Sequence, residues 1–265
     1  MQKLIIYYSK TPFNSFIANN FQSKIISFIL SLLILAIPVQ AKNLKVMVFA
    51  AHPDDELIGC GGSMRKHINL GNDVRVVYLT SGEAGNLKYS KEKLAGIREK
   101  EAENGLGILG VKDFSFLRNK DGYLEANSEN LIKMVELIRK YKPDIVYLPH
   151  SEEAHQDHRA TYDLVTKAIN KAKGNWFQEA PGKAWQVKNI FSYEIYPLQK
   201  AVNYCEDITT FMNLKDTALK EHKSQIESIA YDDLAKSIGR YRGILSNGTE
   251  YAECFQVIRI DDIFH

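Results

Sequence analysis

The sequence predicts a three-layer α/β sandwich with a mostly parallel sheet. Short apolar runs rich in β-branched residues alternate with longer runs of helical period along most of the chain. Glycine or proline stands at the joins, as at Gly71, Gly110 and Pro143. Strands that alternate with helices pair in parallel through right-handed crossovers, which places helices on both faces of the sheet.

Each element follows in turn. Lys45–Ala50 (KVMVFA) reads as a buried strand, and a helix is expected from about Glu56 to Leu70. Val74–Thr80 is a second β-rich run, and Lys91–Leu109 is helical up to Gly110. Phe114–Leu117 suits a short strand, Leu131–Tyr141 a helix, and Ile145–Leu148 a buried strand introduced by Pro143 and Asp144. His158–Lys171 has helical spacing, and Ile190–Ile195 reads as a strand. Asn213–Ala230 and Asp232–Ile244 read as helices, and Phe255–Ile260 as a last strand. Ligands of such folds bind beyond the carboxyl ends of the strands. The loops after Ala50, Thr80 and Leu148 therefore share one rim.

The first 41 residues read as a separate segment. They hold Lys3, Lys10 and Lys24 and no acid, then an uncharged apolar run, Ile25–Ile37, ending in Pro38-Val39-Gln40-Ala41. That is the layout of a secretory signal cut after Ala41. The run has 13 residues, short for a membrane span of about 20. The leading stretch is long for a signal peptide, so an uncleaved anchor is the alternative. The expected organisation is a signal peptide or anchor over 1–41 and one domain over 42–265, exported to the periplasm or beyond, or tethered to the membrane by that segment alone.

Composition is that of a globular protein, with 45% hydrophobic and 25% charged residues, enough for a sizeable core. Without the three lysines of the leading segment, 31 basic side chains face 32 acidic ones. So neutral a body excludes nucleic acid as the main partner. A small molecule or glycan is expected instead, and an oligomer is compatible with the sequence. The three cysteines, Cys60, Cys205 and Cys254, match no metal knuckle or redox pair. A Cys205–Cys254 bridge is feasible in an exported protein, but buried free thiols are the favoured expectation.

Two polar clusters carry the chemistry. His52-Pro53-Asp54-Asp55-Glu56 follows the first strand, and His155-Gln156-Asp157-His158 follows the Ile145–Leu148 strand. Two imidazoles and a carboxylate suit zinc, whose catalytic sites keep three protein ligands and one open position. His52 and Asp55 can hold an ion from a single turn, with His158 arriving from the distant loop. Asp54, beside a ligand but pointing elsewhere, is the candidate general base. His155 can protonate an amide leaving group or stabilise an oxyanion, with Asp157 orienting it. Each cluster taken alone could be a helix cap and nothing more; their arrival together on one rim argues for a site.

These residues resemble the PIG-L/LmbE-like family of zinc deacetylases. The likeness extends to Gly59-Cys60-Gly61-Gly62, Leu79-Thr80-Ser81-Gly82-Glu83, Arg98-Glu99-Lys100-Glu101, Leu109-Gly110-Val111, Asp121-Gly122 and Tyr251-Ala252-Glu253 with Phe255, and covers residues 45–260. It implies a Rossmann-like fold and removal of acetyl from an N-acetylglucosamine-type sugar. It also implies His52, Asp55 and His158 as zinc ligands, with ferrous iron the alternative ion. Asp54 is the implied base, His155 the acid or oxyanion donor, Asp157 its partner, and Arg98 a substrate contact. There are departures. Gln156 stands where proline is common, and Asn104-Gly105 replaces alanines. Glu153 sits where some relatives carry a tyrosine, which leaves open what completes the oxyanion pocket. The export signal points to an envelope or extracellular glycan.

Two rival classes remain. Two histidines and a carboxylate also form the triad of non-haem iron oxygenases, but those sit on all-β jelly rolls. A non-catalytic carbohydrate-binding protein could keep the fold. His67 and His150 are expected to be structural, and His222 and His265 have no visible metal partner. Asn247-Gly248-Thr249 fits a glycosylation sequon, and some of the 14 tyrosines are available to line a sugar cleft.

Overall fold

The computed structural model describes residues 43–246 and 248–261. The expected export or anchor segment, Asn247 of the sequon and His265 lie outside the described residues. Seven strands form one sheet: β1 (Lys45–Ala50), β2 (Asp73–Thr80), β3 (Asp113–Asn119), β4 (Ile145–Pro149), β5 (Asn189–Tyr193), β6 (Tyr204–Asp207) and β7 (Ala252–Ile260). Their spatial order is β3-β2-β1-β4-β5-β7-β6. The first five pair in parallel, whereas β7 runs antiparallel to β5 and β6. The helices are α1 (Asp55–Asn69), α2 (Lys91–Leu109), α3 (Ser128–Tyr141), α4 (Gln156–Ala172), α5 (Met212–Leu219), α6 (Lys223–Ile226) and α7 (Tyr231–Leu245).

The mostly parallel three-layer sandwich is as expected, and no all-β jelly roll supports the oxygenase reading. The apolar character of β1 follows from its place at the centre. Val46, Val48 and Ala50 face one core with Leu57, Met64, Leu106 and Ala218, whereas Met47 and Phe49 face the other with Met134, Ile138, Leu164 and Val165. Thus α1, α2, α5 and α7 cover one side and α3 and α4 the other. Chain order reverses between β1 and β4, so the crevice for ligands opens at their carboxyl ends. Both polar clusters start there.

Helix ends follow local chemistry. Ser90 and Asn127 accept from the third residue of α2 and α3, and Gly110 closes α2 at φ 82°, a conformation glycine adopts freely. Helix α1 has an internal break at Cys60, φ −147°. The break frees backbone groups, and a buried ion pair collects them. Glu253 accepts from Gly62 N and Ser63 N at 2.8 and 2.7 Å, and Lys215 Nζ, 2.7 Å from Glu253 Oε1, donates to Ile58 O.

Two expectations change. The helix expected over Asn213–Ala230 is two helices with a turn at Lys220–His222, because Glu101 of α2 takes Ser224 by its amide (2.8 Å) and its hydroxyl (2.7 Å). Cys205 and Cys254 are joined rather than free; Cys60 is the buried free thiol. Strand β6, whose Tyr-Cys-Glu-Asp carries no apolar signal, sets Cys205 directly opposite Cys254 with Cα atoms 4.1 Å apart. The bridge spans 49 positions, a loop whose closure restricts the unfolded chain by about 4 kcal/mol. We expect Cys205→Ser, or reductant, to lower the melting temperature by roughly 2–4 °C per kcal/mol lost in scanning calorimetry; an unshifted transition would show that the bridge stabilises nothing.

Candidate active site

At the end of β1 the chain turns back on itself. His52 N donates to Asp55 Oδ2 at 2.8 Å, so both side chains enter the crevice from one turn. Between them Asp54 lies at φ 123°, where only glycine is unstrained. Its amide donates to Glu56 Oε2 at 3.3 Å, and Tyr78 Oη donates to Glu56 Oε1 at 2.5 Å. Burial pushes Glu56 up to about 8, so it is a neutral acid at pH 7. Asp54 precedes α1 but makes no side-chain capping bond, which removes the bland reading of this cluster.

The second cluster meets the first. His158 Nε2 lies 3.2 Å from His52 Nδ1 and 3.3 Å from Asp55 Oδ1, and His52 Nδ1 lies 3.4 Å from Asp55 Oδ2. Ligand atoms about 2.0–2.1 Å from a tetrahedral zinc stand about 3.3 Å from one another, a spacing close to these contacts, in which Asp55 meets His158 through Oδ1 and His52 through Oδ2. Each imidazole has a carboxylate beside its far nitrogen, where metal-bound histidines are usually steered; for His158 it is a hydrogen bond, for His52 an ion-pair contact. His52 Nε2 lies 3.0 Å from Asp121 Oδ1 and 3.4 Å from Asp157 Oδ2, and His158 Nδ1 lies 3.2 Å from Glu153 Oε2. Two other donor groups also gather within 4.8 Å, His52 with His155 and His158, and His52 with Asp121 and Asp157. Asp55 contacts both His52 and His158 directly, whereas Asp121 and Asp157 lie at the outer edge of His52.

Electrostatics shows how strongly the place demands positive charge. Burial favours neutral imidazoles, but Asp55 outweighs it and raises His52 well above the usual range and His158 to about 9. Burial would raise the acids too, yet the histidines hold Asp55 well below its usual value and Asp121 at about 2. Without a cation, protons on the histidines balance these carboxylates; a divalent ion would displace them. Asp54 goes the other way. Burial raises it to about 7 against the opposing charge of Arg98. Such a carboxyl is suited to exchanging a proton near neutrality.

Of the remaining expected residues, His155 and Arg98 line the cavity, and Asp157 is buried outside its lining. His155 caps α4 and accepts from Asp157 N at 3.2 Å through Nδ1, so a neutral ring carries its proton on Nε2. Burial and the neighbouring histidines lower its pKa. Asp157 was expected to orient His155, but only its amide does so. Its carboxylate accepts from Gly122 N at 2.7 Å and Leu124 N at 3.2 Å and flanks His52, because α4 begins under the 121–124 loop. Arg98 is buried and lines the cavity, donating to Asp54 Oδ2 at 3.1 Å, Pro53 O at 2.6 Å and Gly82 O at 3.0 Å.

Sequence reasoning missed several participants. Asp121 entered only through the family likeness, in Asp121-Gly122, with no role assigned to it. Glu153, the odd residue before the second motif, holds His158 and accepts from Ile195 N at 2.8 Å. His150 is structural as expected, with Nε2 2.9 Å from Glu153 Oε1. Tyr196, Tyr231 and Gln225 close the far wall of the cavity. Tyr196 and Tyr231 stack at 6.3 Å, and the Tyr196 ring is 5.9 Å from that of His158. No short motif marks these three, since each reaches the cavity through tertiary packing.

Comparison with known proteins agrees with the geometry. Residues 47–169 match the PIG-L family, described as GlcNAc-PI de-N-acetylase. Over 218 residues the chain is 33% identical to a diacetylchitobiose deacetylase of Thermococcus kodakarensis, covering 79% of this chain and 81% of that protein. Among solved structures, the N,N'-diacetylchitobiose deacetylase of Pyrococcus horikoshii aligns with a TM-score of 0.74 at 29% identity, over 82% of this chain and 84% of that one. A conserved protein of Thermus thermophilus also aligns at 0.74, with 28% identity over 84% and 97% of the two chains.

Proposed function

The chain belongs to the PIG-L family of de-N-acetylases, and on that premise we propose that it hydrolyses the acetamido group of an N-acetylglucosamine-type sugar in an exported glycan or glycoconjugate. His52, Asp55 and His158 hold zinc in this reading. The carrying observation is their convergence through contacts of 3.2–3.4 Å, the Asp55 carboxylate reaching one histidine with each oxygen, with the carboxyl of Asp54 held apart on Arg98. Zinc supplies Lewis acidity there, acidifying water and polarising a carbonyl.

The chain's own residues do the rest. Asp54 takes the proton of the attacking water, and Arg98 keeps its carboxylate aimed and charged against the pull of burial. Asp54 then delivers that proton to the departing nitrogen, so that a neutral amine and acetic acid leave, while the neutral His155 donates its Nε2–H to the oxyanion. Asp121 and Asp157 hold His52, and Glu153 holds His158. Tyr196, whose phenol burial keeps protonated, is a second donor available to an oxyanion where relatives use another tyrosine. An oxidising compartment suits the Cys205–Cys254 bridge, which supports export.

The test is acetate release from a panel of N-acetylated sugars and oligosaccharides, on protein with metal content measured. We expect release from at least one glucosamine-type substrate, proportional to bound metal. Sugar binding without acetate release from any member would favour the non-catalytic reading.

A further inference from the structure

We propose that Tyr123 is a stacking platform for a second sugar ring at the cavity mouth, which makes the preferred substrate an acetylated oligosaccharide and not a free monosaccharide. This rests on the deacetylase reading of the cavity. The cavity measures about 240 Å³, below the roughly 300–1,000 Å³ of sites for drug-sized ligands. That space suits one reacting sugar, and a unit linked to it extends toward the open rim.

Tyr123 is the residue that leads the chain from the cavity wall to the surface. The preceding Gly122 lines the cavity, whereas the Tyr123 side chain is 65% exposed. Its backbone is nevertheless tied down by several hydrogen bonds. The Asp157 carboxylate grips the amides on either side, Gly122 N at 2.7 Å and Leu124 N at 3.2 Å, while also flanking His52. Tyr123 N donates to Lys120 O at 3.1 Å, and Asp121 accepts from Ala84 N at 2.8 Å across the crevice. An exposed aromatic ring is thus carried on a backbone referenced to the metal donors themselves. Lys120 Nζ lies 4.0 Å from the ring centroid and covers one face. The open face is apolar and the phenol end polar, a surface that suits the C–H face and hydroxyl rim of a pyranose. With two side-chain torsions to restrain, such a ring binds at little entropic cost.

The test measures kcat/KM of the metal-loaded protein on N-acetylglucosamine and its β-1,4-linked dimer to tetramer, for wild type, Tyr123→Ala and Tyr123→Trp. We expect the tetramer-to-monomer ratio of wild type to fall about three- to tenfold in Tyr123→Ala, through KM, and to be kept in Tyr123→Trp. An unchanged ratio in a Tyr123→Ala protein of wild-type melting temperature overturns the proposal. So does a lower mass for that variant by light scattering, which would assign the ring to contact with a second copy. If wild type releases acetate from none of the series, the deacetylase reading fails and takes this proposal with it. Release with an unchanged ratio removes Tyr123 alone.

Discussion

Asp54→Asn is expected to keep its metal and its fold and to lose on the order of 10²–10⁴ in kcat, the usual contribution of a positioned general base. The substitution is isosteric. The strain of φ 123° is already borne by the native aspartate, and asparagine has the same side-chain shape, so the substitution adds none. Its amide oxygen can accept the Arg98 Nη2 bond that Asp54 Oδ2 now accepts at 3.1 Å, and Arg98 keeps its bonds to Pro53 O and Gly82 O. What disappears is a group whose pKa of about 7 lets it receive a proton at neutral pH and release it afterwards. Steady-state kinetics with metal analysis and a melting curve on the same preparation check this. A variant with wild-type kcat removes Asp54 as the base.

The second large effect concerns the metal. His158→Ala is expected to abolish stoichiometric zinc binding and to bring activity to background, since two donors from one turn remain and the distant one is gone. Zinc should raise the melting temperature of chelator-treated wild type, with about 4 kcal/mol of stabilisation at a thousandfold excess over Kd. The increment should grow with pH. In the metal-free protein the His158 pKa is raised to about 9, above its unfolded value near 6.5. A raised imidazole stabilises the metal-free fold fully below about pH 6.5, and that contribution is lost as pH climbs to about 9. Over the same window zinc no longer has a proton to displace. Melting curves with and without zinc at pH 6.5, 7.5 and 8.5 test the sign. An increment that shrinks with pH, or a His158→Ala protein that binds zinc normally, excludes the proposed centre.

Side-chain type and short-range pattern made much of this legible. The continuous apolar run of β1 announced burial on both faces, and Gly110 marked the end of α2. Two His/Asp clusters after separate strands announced one rim, because parallel strands present their carboxyl ends together. The unread parts share a different origin. Asp121 and Glu153 look like ordinary surface acids until a fold brings each against an imidazole. Helix α1 breaks at Cys60 because Glu253 and Lys215, far along the chain, are there to satisfy the freed groups.

The sequence by itself therefore determined the alternation of elements, the rim on which chemistry gathers, and the residues proposed as metal donors and base, since periodicity and donor chemistry are properties of neighbouring residues. Only the tertiary structure decided which carboxylate steers which histidine, that Asp157 serves His52 and the Tyr123 loop, and that Cys205 meets Cys254. Those outcomes depend on strand register and helix placement, where a shift of one residue would exchange every partner.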